Sequence, residues 1–105
     1  MAEALVALAV SAASRLVTAM VDDGWAEVKV RAAHLLGGGD RAEEERQMRR
    51  LDQARETLAS GSGNDVDRIR ERQIAAWRTR FEDLLEESPG AETQLRELDL
   101  SLIHI

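Results

Sequence analysis

Few residues in this chain are of the types that carry out chemistry. The absence of cysteine excludes disulfides, thiolate zinc sites and thiol nucleophiles. Of the two histidines, His34 and His104, only His34 lies in the body of the chain, and no Glu-x-x-His pair of the di-iron type accompanies it. A catalytic triad also needs a histidine beside its nucleophile. We therefore interpret His34 as a partly buried or capping residue near a helix end, where the helix dipole favours a cation.

Adjacent acidic residues are the next candidates, because paired carboxylates serve in general acid–base catalysis. Such catalysis needs two carboxyl groups that face one cleft and have separated pKa values. Neighbouring positions on a helix point to different sides, which favours a solvated surface. The clusters are Asp22/Asp23, Glu43/Glu44/Glu45, Glu82/Asp83 and Glu86/Glu87. We predict no catalytic residue, no metal site and no cofactor, and hence a protein that is not an enzyme.

The run Gly37-Gly38-Gly39-Asp40 before a predicted helix superficially suggests a phosphate loop, since free amides at a helix start attract anions. It lacks the Gly-Lys-Ser/Thr ending and the preceding strand of such loops. The acidic residues at positions 43–45 would also repel a phosphate. No small-molecule substrate is predicted from this run, which instead indicates a helix end.

Composition predicts the fold class that holds these residues. The chain has 105 residues, of which 44% are hydrophobic and 32% charged, enough for one small domain. One proline, no tyrosine and 3% aromatic residues favour helix over strand. A formal charge of −6 disfavours nucleic acid and anionic membranes as partners. We expect an all-α cytoplasmic protein that binds no nucleic acid.

Residues 2–36 are predicted to form one long helix, from near Glu3 to Leu36. Two apolar stripes in its first half make a wide face, which is typical of a helix buried on more than one side. The stripes are Val6, Val10, Ala13, Val17 and Val21, and Leu5, Leu8, Ala12, Leu16 and Met20. The small residues in this segment also suit self-association. A membrane anchor over residues 2–21 is the alternative, which the charge of Arg15 within the segment weakens.

The continuity of this helix through Gly24 is open. Asp22 is also a suitable cap for a new helix. The apolar stripe of that second helix would be Trp25, Val28, Ala32 and Leu35. In either case the glycines at 37–39 end the segment, because glycine adopts the left-handed conformation of a helix C-terminus at little cost.

A second helix is predicted from Arg41 to about Ala59, because Asp40 and Glu43 have the spacing of a capping box. Its narrow apolar stripe is Met48, Leu51, Ala54 or Arg55, and Leu58. A third helix follows the Ser/Gly loop at 60–63, capped by Asn64 or Asp65. Its core face is Val66, Ile69, Gln73, Ile74, Trp77, Phe81, Leu84 and Leu85, with Trp77 and Phe81 as the large anchors.

A short helix over residues 90–99 is predicted after Ser88 as cap and Pro89 as first helical residue. Leu95 and Leu98 face inward from it. The fold class that we predict is a small antiparallel helical bundle of three long helices plus a short C-terminal helix. It forms a single domain over residues 1–99.

The last residues, Leu100–Ile105, do not match the body in composition. Leu-Ser-Leu-Ile-His-Ile looks like the frame translation of a transposon mosaic-end sequencing adapter. We therefore interpret residues 100–105 as a sequencing artefact, and the sequence as a fragment of a longer natural chain.

Two strings in the chain resemble a family of short, uncharacterised actinobacterial helical proteins. They are Val21-Asp22-Asp23-Gly24-Trp25-Ala26-Glu27-Val28-Lys29 and Trp77-Arg78-Thr79-Arg80-Phe81-Glu82-Asp83-Leu84-Leu85. In that family an Ala/Val-rich first helix leads through an Asp-x-x-Trp step to a Trp-bearing third helix, and the resemblance covers residues 1–99. A tail motif similar to Tyr-Gln-Ala-Gly-Arg-Asp often follows there and is missing here. The resemblance implies a helical interaction module, with an adaptor role in bacterial signalling or conflict systems.

Taken together, the residues favour a non-enzymatic protein–protein interaction or oligomerisation module, with a protein partner or a second copy of the chain bound to it. The alternative is a membrane-associated protein held by its apolar N-terminal helix. A third hypothesis, an acidic antitoxin-like partner of a basic protein, is based on charge alone.

Overall fold

The computed structural model of the chain describes residues 2–103, which are helical apart from short connections. The elements are α1 (Glu3–Ala19), α2 (Trp25–Gly37), α3 (Arg41–Ser60), α4 (Asp65–Glu87) and α5 (Ala91–Leu102). The prediction of an all-α fold is confirmed for this range, which has no strand. Three long helices and a short fourth match the structure only roughly, because five helices form.

The first predicted helix is in fact two helices, so the favoured single helix from Glu3 to Leu36 is wrong, and the alternative of a second helix after Gly24 is correct. Backbone turns at 20–24 separate α1 from α2, with Trp25 N donating to Asp22 O at 3.2 Å. A straight helix of that length would extend about 50 Å, whereas the longest dimension of the fold is 40 Å. The break returns the chain to the core, where both Met20 and Trp25 are buried.

Helix α1 lies in the centre of the fold, with its main contacts to α4 and α5. The prediction of a helix buried on more than one side is confirmed. Its most deeply buried residues are Ala9, Ala12, Ala13, Leu16 and Val17. Val10 and Val21, which were predicted to face the core, are instead exposed.

Helices α2 and α3 form an antiparallel hairpin. Gly38 and Gly39 have φ values of 60° and 88°, the left-handed conformation that ends α2. Asp40 then caps α3 by accepting hydrogen bonds from the backbone N–H groups of Ala42 at 2.9 Å and Glu43 at 3.3 Å. The predicted start of α3 is therefore confirmed, and its end at Ser60 lies one residue beyond the expected position.

Helix α4 packs mainly on α1. Trp77, Phe81 and Leu85 are buried as predicted. Val66 is 38% exposed, so the predicted core face is wrong at its first position. Asn64 makes no side-chain cap. Arg70 near the start of α4 donates to Thr18 Oγ1 near the end of α1 at 2.6 Å, which places these two ends side by side.

Helix α5 begins at Ala91, after a turn in which the carbonyl groups of Ser88 and Pro89 accept the N–H groups of Ala91 and Glu92. The predicted Ser88 side-chain cap is therefore absent at this start. Leu95 and Leu98 are buried as expected. The helix continues to Leu102, which is also buried. His104 and Ile105, the end of the segment assigned to an adapter, lie outside the described residues.

We expect Gly37→Ala to lower the free energy of unfolding by about 1–3 kcal/mol. An added Cβ atom at this buried position would lie 2.9 Å from the backbone nitrogen of Glu44, so α2 and α3 would have to separate. Gly90→Ala is the matched control, because nothing lies within 4 Å of its Cβ position, and it should stabilise by about 0.4–1 kcal/mol. Urea unfolding followed by circular dichroism measures both. Equal effects of the two substitutions would contradict the close approach.

Trp77→Ala should lower the free energy of unfolding by about 3–5 kcal/mol, as a large-to-small change in the core. Trp77 is 2% exposed. Val66→Ala on the same helix should cost less than about 1 kcal/mol, because Val66 is largely outside the core. The same unfolding experiment separates the two, and similar losses would mean that the α4 face is assigned incorrectly.

Candidate binding groove

A groove separates α3 from α4. Residues 61–64 connect these helices directly, yet α3 makes far fewer contacts with α4 than with α2. Two cavities of about 270 Å³ each lie along the seam, and Arg50 from α3 and Arg80 from α4 line both. We refer to the two cavities together as the α3–α4 groove.

The two halves of the α3–α4 groove differ in chemistry. Beyond the arginines, one half is lined by uncharged side chains, namely Gln53, Ala54, Thr57, Gln73, Ala76 and Trp77. The other half is mixed and acidic, lined by Leu36, Glu43, Gln47, Asp83, Leu84 and Glu87. The pair of guanidinium groups therefore stands at the boundary between a neutral polar half and an acidic half.

Arg80 is the most unusual charged residue in this groove. Its Cζ atom lies 4.7 Å from the centre of the Trp77 ring, within the range of a cation–π contact. Its Nη1 atom is buried and has no hydrogen-bond partner among the described residues. Burial, and then the nearby positive charge of Arg50, lower the pKa of Arg80 from its usual value. Within residues 2–103 neither arginine is within 4.0 Å of an acidic oxygen.

Gln47 is a second polar residue with an unmet hydrogen-bonding capacity. It is only 6% exposed, and its Nε2 atom donates to Glu43 Oε1 at 3.0 Å. The Glu43 carboxylate can only accept hydrogen bonds, so the amide atom that contacts it must be the nitrogen, and the remaining amide atom of Gln47 is the oxygen Oε1. Oε1 is buried and has no hydrogen-bond partner in the described part of the chain. A buried acceptor of this kind is a candidate for a hydrogen bond from water or from a bound ligand.

Arg50, Arg80 and Gln47 were not identified from the sequence as candidate functional residues. Helices α3 and α4 each contain several arginines, and nothing in the sequence distinguishes Arg50 or Arg80 from the others. Gln47 does leave one, because it precedes Leu51, Ala54 and Leu58 at spacings of four, three and four and all four residues are buried. A polar side chain within an apolar stripe is the pattern that would have indicated a buried amide.

Most of the residues considered for chemistry lie outside the α3–α4 groove. His34 is exposed rather than partly buried, and its Nδ1 atom is 3.0 Å from Glu44 Oε1. The amides at the start of α3, which resembled a phosphate site, are occupied by Asp40. Adjacent acidic residues have separate partners: Glu43 contacts Arg46 whereas Glu44 contacts His34. The structure brings none of them into the α3–α4 groove except Glu43, Asp83 and Glu87.

A further polar cluster joins α1 to α5. Asp99 is 9% exposed and accepts hydrogen bonds from Ser11 Oγ at 3.1 Å and 3.2 Å. Arg15 Nη1 lies 3.1 Å from Asp99 Oδ1. Because the carboxylate is neutralised and hydrogen-bonded, this cluster is a structural tie between helices.

Among the described residues no group of three His, Asp or Glu side chains is arranged to hold a metal ion. No helix within residues 2–103 has both the length and the apolar character that crossing a bilayer requires. Comparisons with protein-family models, curated proteins and solved structures gave no significant match.

Arg50→Gln should raise the free energy of unfolding by a few tenths to about 1 kcal/mol, because it removes a positive charge next to Arg80. The gain should shrink at high ionic strength, which screens that repulsion. Arg49→Gln is the control, since Arg49 is exposed and lines neither cavity. Thermal and urea unfolding at low and high salt measure the effect. A loss of stability from Arg50→Gln alone would show that Arg50 is stabilised by its surroundings.

Proposed function

We propose that this chain is a cytoplasmic, non-enzymatic helical module that binds a segment of another protein in the α3–α4 groove. The observation that carries the proposal is a pair of buried polar atoms, Arg80 Nη1 and Gln47 Oε1, which have no hydrogen-bond partner within residues 2–103 and belong to residues that line the groove. Unpaired buried polar groups are rare in folded proteins and call for an explanation. One explanation is a binding partner that supplies the missing hydrogen bonds.

The neutral half of the groove favours a peptide as the occupant. The amides of Gln53 and Gln73 offer donors and acceptors of the kind that pair with a peptide backbone. The Thr57 hydroxyl, which donates to Gln53 O, offers an acceptor. The exposed residue Ala76 adds apolar surface to the same half, which the buried residues Ala54 and Trp77 also line. Binding interfaces combine an apolar centre with polar groups around it in this way.

The charge distribution disfavours a polyanion. The chain has a formal charge of −6, and three acidic residues line the other half of the groove. The negative charge of the chain would repel each phosphate of a nucleic acid strand. Protein binding to nucleic acid instead requires basic side chains that neutralise several phosphates. A protein segment with few charges does not encounter that barrier.

The alternative, membrane association through the N-terminal helix, has a structural cost. Leu8, Leu16 and Val17 of α1 are buried in the core. Their transfer to a bilayer would remove them from contact with α4 and α5 and would expose the apolar faces of those helices. The groove hypothesis requires no such rearrangement.

Selection of peptides from a displayed random library tests the proposed function. Peptides that bind the wild-type chain should bind Ala76→Trp at least about tenfold more weakly, because the indole fills the groove. Ala75→Trp is the matched control: Ala75 is also an exposed residue of α4 but lines neither cavity, and this variant should bind as the wild type does. Light scattering and thermal unfolding establish that all three proteins have the same mass and are folded.

Two results would contradict the proposal. One is that the selected peptides bind Ala76→Trp and the wild type equally, which would place the binding site elsewhere. The other is that the wild type forms a stable dimer and Ala76→Trp alone is monomeric, which would identify a second copy of the chain as the occupant.

A further inference from the structure

In the part of the chain that the structure describes, the α3–α4 groove contains two guanidinium groups that form no ion pair and one buried hydrogen-bond acceptor. Arg50 and Arg80 line both halves of the groove, and no ion pair involves either within residues 2–103. Gln47 lines the same half as the three groove acids. Among the described residues, the buried side-chain atoms of the groove that lack a hydrogen-bond partner are therefore a donor, Arg80 Nη1, and an acceptor, Gln47 Oε1.

A single amino acid residue with an acidic side chain provides the complement to both. A carboxylate accepts hydrogen bonds from guanidinium groups, and these charge-assisted pairs are among the strong hydrogen bonds of proteins. The backbone N–H of the same residue is the donor that an amide oxygen requires. Simple anions such as acetate provide only the first of these two groups.

We propose that Arg50, Arg80 and Gln47 form a recognition site for one acidic residue of a partner peptide. The carboxylate pairs with the two guanidinium groups, and the backbone N–H of that residue reaches Gln47 Oε1. This inference rests on the proposed function, because it names what the groove recognises in the bound segment.

The proposed site becomes accessible only after a local rearrangement of the groove. Arg80 Nη1 and Gln47 Oε1 are buried in the unbound chain, so binding must move the helices apart or turn the side chains. Contacts between α3 and α4 are few, and the short connection between the helices includes Gly61 and Gly63. Separation of α3 from α4 exposes Ala54 and Trp77, which are buried and line the groove, and the new hydrogen bonds offset part of that cost.

A carboxylate fits this site better than a phosphate. Glu43, Asp83 and Glu87 line the groove on one side of the arginines, so three negative charges stand near two positive ones. A phosphate group carries up to two negative charges at neutral pH and meets more repulsion than a carboxylate does. The site therefore selects a singly charged group within an otherwise neutral segment.

The test uses N-acetylglutamate N-methylamide as the probe, its glutamine counterpart as the neutral analogue, and inorganic phosphate, all at one ionic strength. Proton–nitrogen correlation spectra report on the Trp77 indole N–H beside Arg80, and the Trp25 indole, which lines neither cavity, is the internal reference. The glutamate probe should shift the Trp77 signal in a saturable way. The glutamine analogue should leave it unchanged, and phosphate should bind more weakly than the glutamate probe.

Variants of the arginines assign the effect. Arg50→Gln and Arg80→Gln should each weaken binding of the glutamate probe by at least about tenfold. Arg49→Gln and Arg78→Gln, neighbours that line neither cavity, should change it by less than about twofold. Arg50 is exposed, so Arg50→Gln remains a valid test if Arg80→Gln does not fold.

Three results would overturn the inference: no saturable shift with the glutamate probe, equal shifts with the glutamine analogue, or unchanged binding by folded Arg50→Gln. Tighter binding of phosphate would also overturn it, by identifying a phosphate site. Failure of this inference is distinguishable from failure of the proposed function. Selected peptides that need an open groove at Ala76 but contain no acidic residue would leave the proposed function intact and refute the carboxylate site.

Discussion

The burial of α1 is the constraint on which the other helices depend. Its central positions, Ala9, Ala12 and Ala13, are fully or almost fully buried, and small side chains at a contact let helix axes come close. The large side chains come from the neighbouring helices, with Phe81 from α4 and Leu95 from α5 both at 0% exposure. The small side chains of α1 pack against the large side chains of α4 and α5, which fills the space between the helices without large voids, as close packing of the interior requires.

The groove follows from how the remaining apolar surface is used. Helix α4 directs its core face to α1, and α3 packs chiefly on α2. The narrow stripe of α3, with Leu51, Ala54 and Leu58 buried, leaves few apolar side chains for a second interface. The pair formed by α1 and α4 therefore meets the pair formed by α2 and α3 along a seam that contains charged and amide side chains. The seam lies between α3 and α4, although α3 and α4 are consecutive in the chain.

This seam is also where the structure departs from the usual rules of stability. Arg80 and Gln47 supply two of the three buried side-chain polar atoms without a partner in the described range, the third being Trp25 Nε1. Two positive groups also lie close enough for Arg50 to lower the pKa of Arg80. Proteins are only marginally stable, and local departures of this kind are concentrated at functional sites. Under the proposed function, the bound segment would supply the hydrogen bonds that these atoms lack.

The sequence alone determined what depends on neighbouring residues. The helical class, the cap at Asp40, the bounds of α3 to within one residue and the anchors Trp77 and Phe81 all result from short-range pattern. The tertiary structure decided the rest: the break at 20–24, the exposure of Val66 and the unmet groups of the α3–α4 groove. The position of a helix break depends on how the helix packs against the rest of the core. Whether a buried polar atom finds a hydrogen-bond partner depends on which distant segments pack around it. Local sequence carries no record of those distances, so packing alone could decide them.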